Sequence, residues 1–511
     1  MDLIRIYYDE FGEGEEEQRV DEVTWNDLEM DKVFAHVNHT RSYIGEQVLY
    51  RRLREPKSDR DWEAYERKVR YLQQNEQARM KIEKVLSRIG KRSENYYLPG
   101  FLHDTDLWTI RNGCLYHILQ FFLLFFGVLA VFAEKSIFAA GFLAVICINL
   151  VIYMRTKWKY EVYLYSLGSV RKLVDFCKGV LADKELCKVF EEEEVIEATK
   201  ELNRVTKGIA GFEMRKRMSW TGDTMALLRD YMLGITLYDI SVFNHIMKVL
   251  DKKQDKVMCL YQFAGEIDMI NAVTYFRREH EKKVCIPEFC REQKISAQGL
   301  YHPLLKDAVS NDFVTSGRTL LSGANASGKS TFMKAIAINV ILAQTIHTCA
   351  AQYIQLPGMQ VMTSMALRDD ILSGESYYIR EVKYLKRMLD RVETGKTVMC
   401  VIDEMLKGTN TVERQAASEA ILRYFANKQC FVLVASHDLE LLNKLQNEYN
   451  CYYFDSLVGE KDIYFDYRLH KGIGGRSNAI ALLKLLQYPE SIVEYAGELT
   501  GMPYISGRSD R

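Results

Sequence analysis

Residues 323–330 read Gly323-Ala324-Asn325-Ala326-Ser327-Gly328-Lys329-Ser330, which satisfies G-x-x-x-x-G-K-[ST] at every fixed position. The run before it, Thr319 to Ser322 (TLLS), is a short apolar strand pattern, and the run after it, Thr331 to Ala343 (TFMKAIAINVILA), has helical spacing. Strand, glycine-bearing loop and helix in that order make a cradle for phosphate. Glycines let the loop curl so that its N–H groups and the helix N-terminus converge on phosphate oxygens. The Lys329 ammonium is then expected at the β- and γ-phosphates, and the Ser330 hydroxyl at Mg²⁺. Together with Thr331, these residues are the expected contacts of a nucleoside triphosphate.

Working outward, Val398-Met399-Cys400-Val401-Ile402 is a buried-strand run that ends in Asp403-Glu404. An acid at the carboxyl end of such a strand can reach the loop's metal, so Asp403 is expected to share Mg²⁺ with Ser330. Glu404, one residue on, is placed to orient or deprotonate the attacking water. A further run, Phe431 to Ala435 (FVLVA), ends in Ser436-His437-Asp438, where a histidine can sense the γ-phosphate or simply sit in a surface loop. Ser373-Gly374-Glu375-Ser376 precedes a helix pattern with Ile379, Val382, Leu385, Met388, Leu389 and Val392 on one face. Serines there usually cap the helix; facing a partner's nucleotide, the same groups would bind its γ-phosphate.

These elements, in this order, resemble the MutS family of DNA mismatch-repair ATPases. The matching residues are His302-Pro303-Leu304-Leu305, then SGANASGKSTFMKAIA, SGESYYIREVKYLKRML, VIDEMLKGTNT and ASHDLELL. Where MutS usually has Pro-Asn-Met-Gly in the loop, Ala324, Asn325, Ala326 and Ser327 stand here. The family's Gly-Arg-Gly-Thr-Ser-Thr is replaced by Lys407-Gly408-Thr409-Asn410-Thr411. More weakly, Thr40-Arg41, Gly45, Leu49, Leu53 and Pro56 look like the opening helix of the family's core domain. Ile267-Asp268 and Pro287-Glu288-Phe289 look like its close. The resemblance implies ATP with Mg²⁺, a homodimer through the ATPase domains, Ser376 acting in trans on the partner's nucleotide, His437 as the γ-phosphate histidine and Tyr467 near adenine. It also makes DNA the candidate ligand. MutS reads mismatches with a Phe-x-Glu wedge; Phe11-Gly12-Glu13 and Phe190-Glu191-Glu192 fit that tripeptide but sit in acidic runs that repel phosphate. Classical mismatch reading is therefore not expected.

Another stretch departs from a soluble pattern. Asn112 to Ala133 and Ser136 to Met154 carry no formal charge and are separated by Glu134 and Lys135. Each is about 20 residues, enough at 1.5 Å per residue to cross a hydrocarbon core of roughly 30 Å. Arg111 precedes the pair and Arg155, Lys157 and Lys159 follow it, with Trp158 as an interfacial anchor. The positive-inside bias puts both flanks, both termini and the ATPase domain in the cytoplasm of a cell-membrane protein. The alternative is a buried helical hairpin in a soluble core, and His117, Gln120 and Asn149 in either case need polar partners.

Composition agrees with large cores and no disorder: of 511 residues, 48% are hydrophobic and 27% charged. Lys plus Arg number 68 against 69 Asp plus Glu, which excludes a protein basic all over. Seven prolines suit long helices. The 11 cysteines show no zinc spacing and read as cytosolic thiols, and the first residues show no signal-peptide layout. The expected fold is an α/β P-loop ATPase domain, ABC/MutS-like, C-terminal to a mostly α-helical core or lever region containing a two-helix transmembrane hairpin. The expected segments are 1–111 (helical, core-like), 112–155 (hairpin), 156–297 (helical lever) and 298–511 (ATPase). Two functions follow: an ATPase that clamps DNA, or a membrane-bound mechanochemical ATPase acting on a protein partner. Arg51-Arg52-Leu53-Arg54 and Arg215-Lys216-Arg217 could touch phosphates, but exposed charge on a helix is the simpler reading of both.

Overall fold

The computed structural model describes residues 1–12, 19–103, 113–133, 135–219, 231–281, 283–324, 326–365, 377–458, 463–474 and 479–499. Arg111, Glu13, Glu134, Asn325 and the Ser373–Ser376 stretch lie outside the described residues, as do the side chains of Lys157, Trp158, Lys159, Arg215, Lys216 and Arg217. The chain packs as two units, each built from three stretches. One comprises 1–13, 37–51 and 63–278, the other 14–36, 52–62 and 279–511. The first 62 residues supply both units.

The first unit is helical. Val69 and Leu72 on helix Trp62–Gln74 and Ile82 on Glu76–Ile89 are buried, on the apolar faces of their helices. Leu86 takes the next core position while Val85 is half-buried. Asp268, on helix Gln254–Glu279, is fully buried and accepts hydrogen bonds from the Arg41 N–H (2.9 Å), the Ser42 N–H (2.8 Å) and the Ser42 hydroxyl (2.6 Å). These are donors around the start of helix Tyr43–Arg54 that have no intrahelical partner. A Cβ on Gly45 would lie 2.3 Å from Asp268 Oδ2, so only glycine lets the carboxylate approach.

Helices Gly113–Phe132 and Ser136–Ala182 contain two stretches, Cys114–Phe132 and Ser136–Thr156, long and apolar enough to cross a membrane. They pair closely through reciprocal glycines. A Cβ on Gly127 would meet the Phe142 ring at 3.1 Å, and one on Gly141 the Phe126 ring at 2.9 Å. Their outer faces, including Phe121, Leu124, Val131, Ile137 and Leu143, are exposed.

The second unit holds two sheets. In the smaller, β1 (Glu288–Phe289), β5 (Tyr353–Leu356), β2 (Ile295–Leu300) and β3 (Asn311–Thr315) lie in that spatial order. The larger has six strands in the order β10 (Ile463–Lys471), β9 (Asn450–Val458), β4 (Arg318–Ser322), β8 (Phe431–Ala435), β7 (Val398–Asp403) and β6 (Gln360–Ser364). All its pairings are parallel except β10 with β9. Strands β7 and β8 are buried along almost their whole length, which is why they read as unbroken apolar runs.

The N-terminal stretch covers the edge strand β6. The Thr363 N–H donates to the Thr24 hydroxyl oxygen (3.2 Å), and the Thr363 hydroxyl and the Met365 N–H donate to Asp27 Oδ2 (2.7 and 2.9 Å). An edge that would otherwise present free backbone groups is thereby closed. Arg54 is buried with its guanidinium 3.9 Å above the Trp25 ring, donating to the Val20 carbonyl. In the first unit, Arg51 is buried and bonds the Tyr7 hydroxyl. Two members of the basic cluster 51–54 are thus packing residues rather than exposed charge on a helix.

Candidate active site

The loop between β4 and helix Lys329–Ile346 sits at the carboxyl end of a central strand, where open α/β sheets place their ligand crevices. Gly323 (φ +139°) and Gly328 (φ +108°) occupy backbone conformations that side chains rarely adopt. A Cβ on Gly323 would be 2.7 Å from the Phe454 carbonyl, and one on Gly328 would press on the Tyr467 ring at 3.1 Å. Lys329 donates from Nζ to the carbonyl oxygens of Gly323 (2.7 Å) and Ala324 (2.9 Å). Burial pushes its ammonium below the ordinary lysine range, against the pull of Glu404 and Asp403. A phosphate would supply the charge that these carbonyls only partly offset.

A cavity of about 730 Å³ opens beside this loop. Ala326, Gly328, Lys329, Ser330 and Thr331 line it, with Asp403, Glu404 and Tyr467. Gly323, Ala324 and Ser327 of the loop do not line it, and the Ser327 side chain is buried. The Ser330 hydroxyl donates to Asp403 Oδ2 at 2.5 Å, so two hard oxygen ligands meet at the helix start. Among the described residues there is no group of three or more His, Cys, Asp or Glu arranged to hold a metal.

Glu404 follows β7 at φ +61°, its N–H donating to the Ala435 carbonyl of β8 (3.0 Å). Its Oε1 lies 3.0 Å from His437 Nδ1 and its Oε2 3.2 Å from Lys407 Nζ. Burial works to raise this carboxyl, but the His437 bond and the Lys407 charge prevail and hold it below the usual glutamate range. It is therefore ionised near neutrality, as a proton acceptor must be. His437 does not line the cavity; it is exposed and reaches the site through Glu404.

The opposite wall comes from the β2–β3 connection, which contributes Tyr301, His302, Leu305 and Val309. Burial pushes the His302 imidazole down to about 4, so this wall is uncharged at its histidine. Phe332 and Phe454 add apolar surface, and Tyr467 sits where β10 bulges between Phe465 and Leu469. Asn311 pins that bulge, donating to the Tyr467 carbonyl (3.1 Å) and accepting from the Leu469 N–H (2.7 Å). The cavity is thus polar on the side of the loop, Asp403 and Glu404, and apolar and aromatic where Phe332, Phe454 and Tyr467 line it.

Sequence reasoning missed several of these groups. Tyr301, Val309, Asn311 and Phe454 carry no motif of their own. Glu381, on helix Tyr377–Glu393, is buried with its carboxyl turned toward the backbone N–H groups of Leu406, Lys407 and Gly408. Burial raises this carboxyl, and through Lys407 it bears on the loop that holds Glu404. Its signal was an acidic residue inside an otherwise clear apolar stripe. That stripe itself buries Leu385, Met388 and Val392 but leaves Ile379 and Val382 exposed. Ser376 and Asn325 lie outside the described residues.

Residues 319–502 match the family model described as MutS domain V. The chain is 28% identical over 274 residues to human "MutS protein homolog 4", covering 50% of this chain and 29% of that protein. It is 26% identical over 271 residues to "DNA mismatch repair protein MutS" of Pseudothermotoga lettingae, covering 50% and 33%, and 25% identical over 288 residues to the protein of the same name from Petrotoga mobilis, covering 54% and 34%. The matched stretch spans about a third or less of each relative's length.

Proposed function

We propose, from the premise that the C-terminal half contains a MutS-family domain, that the protein is a membrane-anchored ATPase which couples ATP binding and hydrolysis to a clamping movement of its helical region. The observation that carries this reading is the convergence on one cavity of a phosphate loop with its lysine, the Ser330–Asp403 pair and an ionised Glu404. Loop N–H groups and Lys329 bind the β- and γ-phosphates. Tyr467 and the β2–β3 connection enclose the base. Glu404, oriented by His437 and Lys407, takes the proton of the attacking water.

Ser330 and Asp403 would hold Mg²⁺. The pair fits, because this ion commonly takes only one or two protein oxygens and completes its shell with phosphate and water. Bound there, the ion would neutralise charge developing on the phosphate oxygens.

A homodimer through the ATPase domains would let Ser376 act on the partner's γ-phosphate; the exposed Ile379 and Val382, just beyond it, support an apolar contact at that place. The hairpin is read as two transmembrane helices with the ATPase domain in the cytoplasm. Its exposed apolar faces support this over a buried hairpin, since a soluble chain would have to hide them. DNA is the first candidate for the clamped ligand. A protein partner is the second, favoured by the burial of Arg51 and Arg54, which removes two cations from the candidate DNA surface.

The test uses the full chain in detergent. Glu404→Gln should retain bound ATP while turnover falls by at least about 100-fold, the scale of a lost general base. Labelled duplex, matched and mismatched, should bind with ATP and release with salt if DNA is clamped. Intact ATPase activity with no duplex binding at any salt would select the protein partner. Unchanged turnover in Glu404→Gln would remove Glu404 from the chemistry.

A further inference from the structure

The two amides in the apolar spans are both engaged. Gln120 donates from Nε2 to the Thr236 carbonyl (3.0 Å), and Asn149 donates from Nδ2 to the Ile235 carbonyl (2.6 Å). The acceptors are consecutive and lie at the end of a helical turn, residues 231–236. There the backbone reverses through Leu237 (φ +52°) into helix Tyr238–Asp251. Carbonyls at such an end have no intrahelical donor, and water is what usually satisfies them on a soluble surface. Here side chains of the two spans do so.

The packing agrees. A Cβ on Gly234 would lie 2.8 Å from the Tyr153 ring, so the turn is laid flat against the second span. Val145, Asn149 and Tyr153 are buried at successive four-residue steps, and Tyr116 and Leu123 are buried on the first span. Asn149 lies six residues before Arg155, the first charge after the run, which is about 9 Å inward at 1.5 Å per residue. The stretch from Tyr231 to Tyr238 (YMLGITLY) has no charged residue, and Tyr231, Met232 and Tyr238 are exposed.

We propose that residues 231–238 form a re-entrant element that enters the cytoplasmic leaflet beside the two spans. Gln120 and Asn149 cap its backbone, and Tyr231, Met232 and Tyr238 face lipid acyl chains. Irregular backbone at membrane depth is tolerated only where protein satisfies its polar groups, which is what the two amides do. Acyl chains are the fitting occupant because the bonds from Gln120 and Asn149 hold this turn at the level of the two spans, whose outer faces are likewise apolar and exposed. The inference rests on the membrane reading above and adds a third lipid contact, attached directly to helix Tyr238–Asp251.

The full chain would be reconstituted in phosphatidylcholine vesicles containing a phospholipid with a diazirine in its acyl chain, irradiated, and mapped by mass spectrometry. Adducts are expected on both spans and on Tyr231, Met232 and Tyr238. In the double variant Gln120→Leu/Asn149→Leu, labelling at 231–238 relative to the spans should fall roughly tenfold, from two hydrogen bonds of the strength measured between membrane helices. Labelled spans with an unlabelled 231–238 would overturn the re-entrant element and leave the anchor standing. Unlabelled spans would overturn the membrane reading itself. Undiminished labelling in the double variant, with its spans labelled, would overturn the capping by the two amides.

Discussion

Asp268 offers the most quantitative test of the helical unit. Its carboxylate is fully buried and receives two backbone N–H groups and one hydroxyl from Arg41 and Ser42. Asp268→Ala would orphan both N–H groups at about 1–3 kcal/mol each, so the start of helix Tyr43–Arg54 should lose about 3–5 kcal/mol of protection. Burial, opposed by those donors, pushes the carboxyl up to about 6 from an ordinary 3.8. The sign follows from the raised value. Above pH 6 the folded chain holds an ionised carboxylate at a cost, and that cost is relieved as pH falls from the folded value toward the unfolded one. Between pH 7 and 5 the gain is about 1.3 kcal/mol, or close to tenfold in local opening. Hydrogen exchange of the peptide spanning residues 38–50, corrected for intrinsic rates, would read it. Wild-type protection should rise about tenfold on acidification by this linkage, whereas Asp268→Asn should stay flat and Asp268→Ala should lose at least about 100-fold. Equal pH slopes in wild type and Asp268→Asn, or intact protection in Asp268→Ala, would refute the reasoning.

Other expectations concern the second unit. Lys329→Ala should weaken binding of a fluorescent ATP analogue about 30- to 100-fold, the scale of a lost charge-assisted contact; unchanged affinity would move the phosphate site elsewhere. Glu381→Ala should lower kcat roughly tenfold with ATP affinity retained, since it loosens the loop behind Glu404 rather than the cradle, and a loss confined to KM would contradict that role. Arg54→Ala removes the stack on Trp25 and the bond to Val20, about 2–4 kcal/mol in all, so limited proteolysis should cut within residues 19–27 faster. Wild-type cleavage rates there would mean the segment is held by other contacts.

What the sequence alone determined is local. Gly323 to Ser330 stands out because strand, loop and helix are contiguous, and the phosphate chemistry proposed for it asks only for groups within one turn of chain. The strand ending in Asp403-Glu404 was legible for the same reason, as an apolar run with an acid at its carboxyl end. The two uncharged runs show their length and apolarity without any partner.

The tertiary structure decided whatever depends on residues far apart in the chain. Gly45 and Asp268 meet because a missing Cβ admits a buried carboxylate, a fit that neither residue announces. Tyr467 reaches Gly328 only because β10 bulges and Asn311 holds the bulge. Arg51 and Arg54 look like exposed charge on a helix, yet Tyr7 and Trp25, each more than 25 residues away, bury them. Gln120 and Asn149 had known needs and unknown partners until the backbone at Ile235 and Thr236 supplied them. Spacing encodes which face of an element is apolar; which distant element comes to cover that face is settled by packing, and packing leaves no local trace in the sequence.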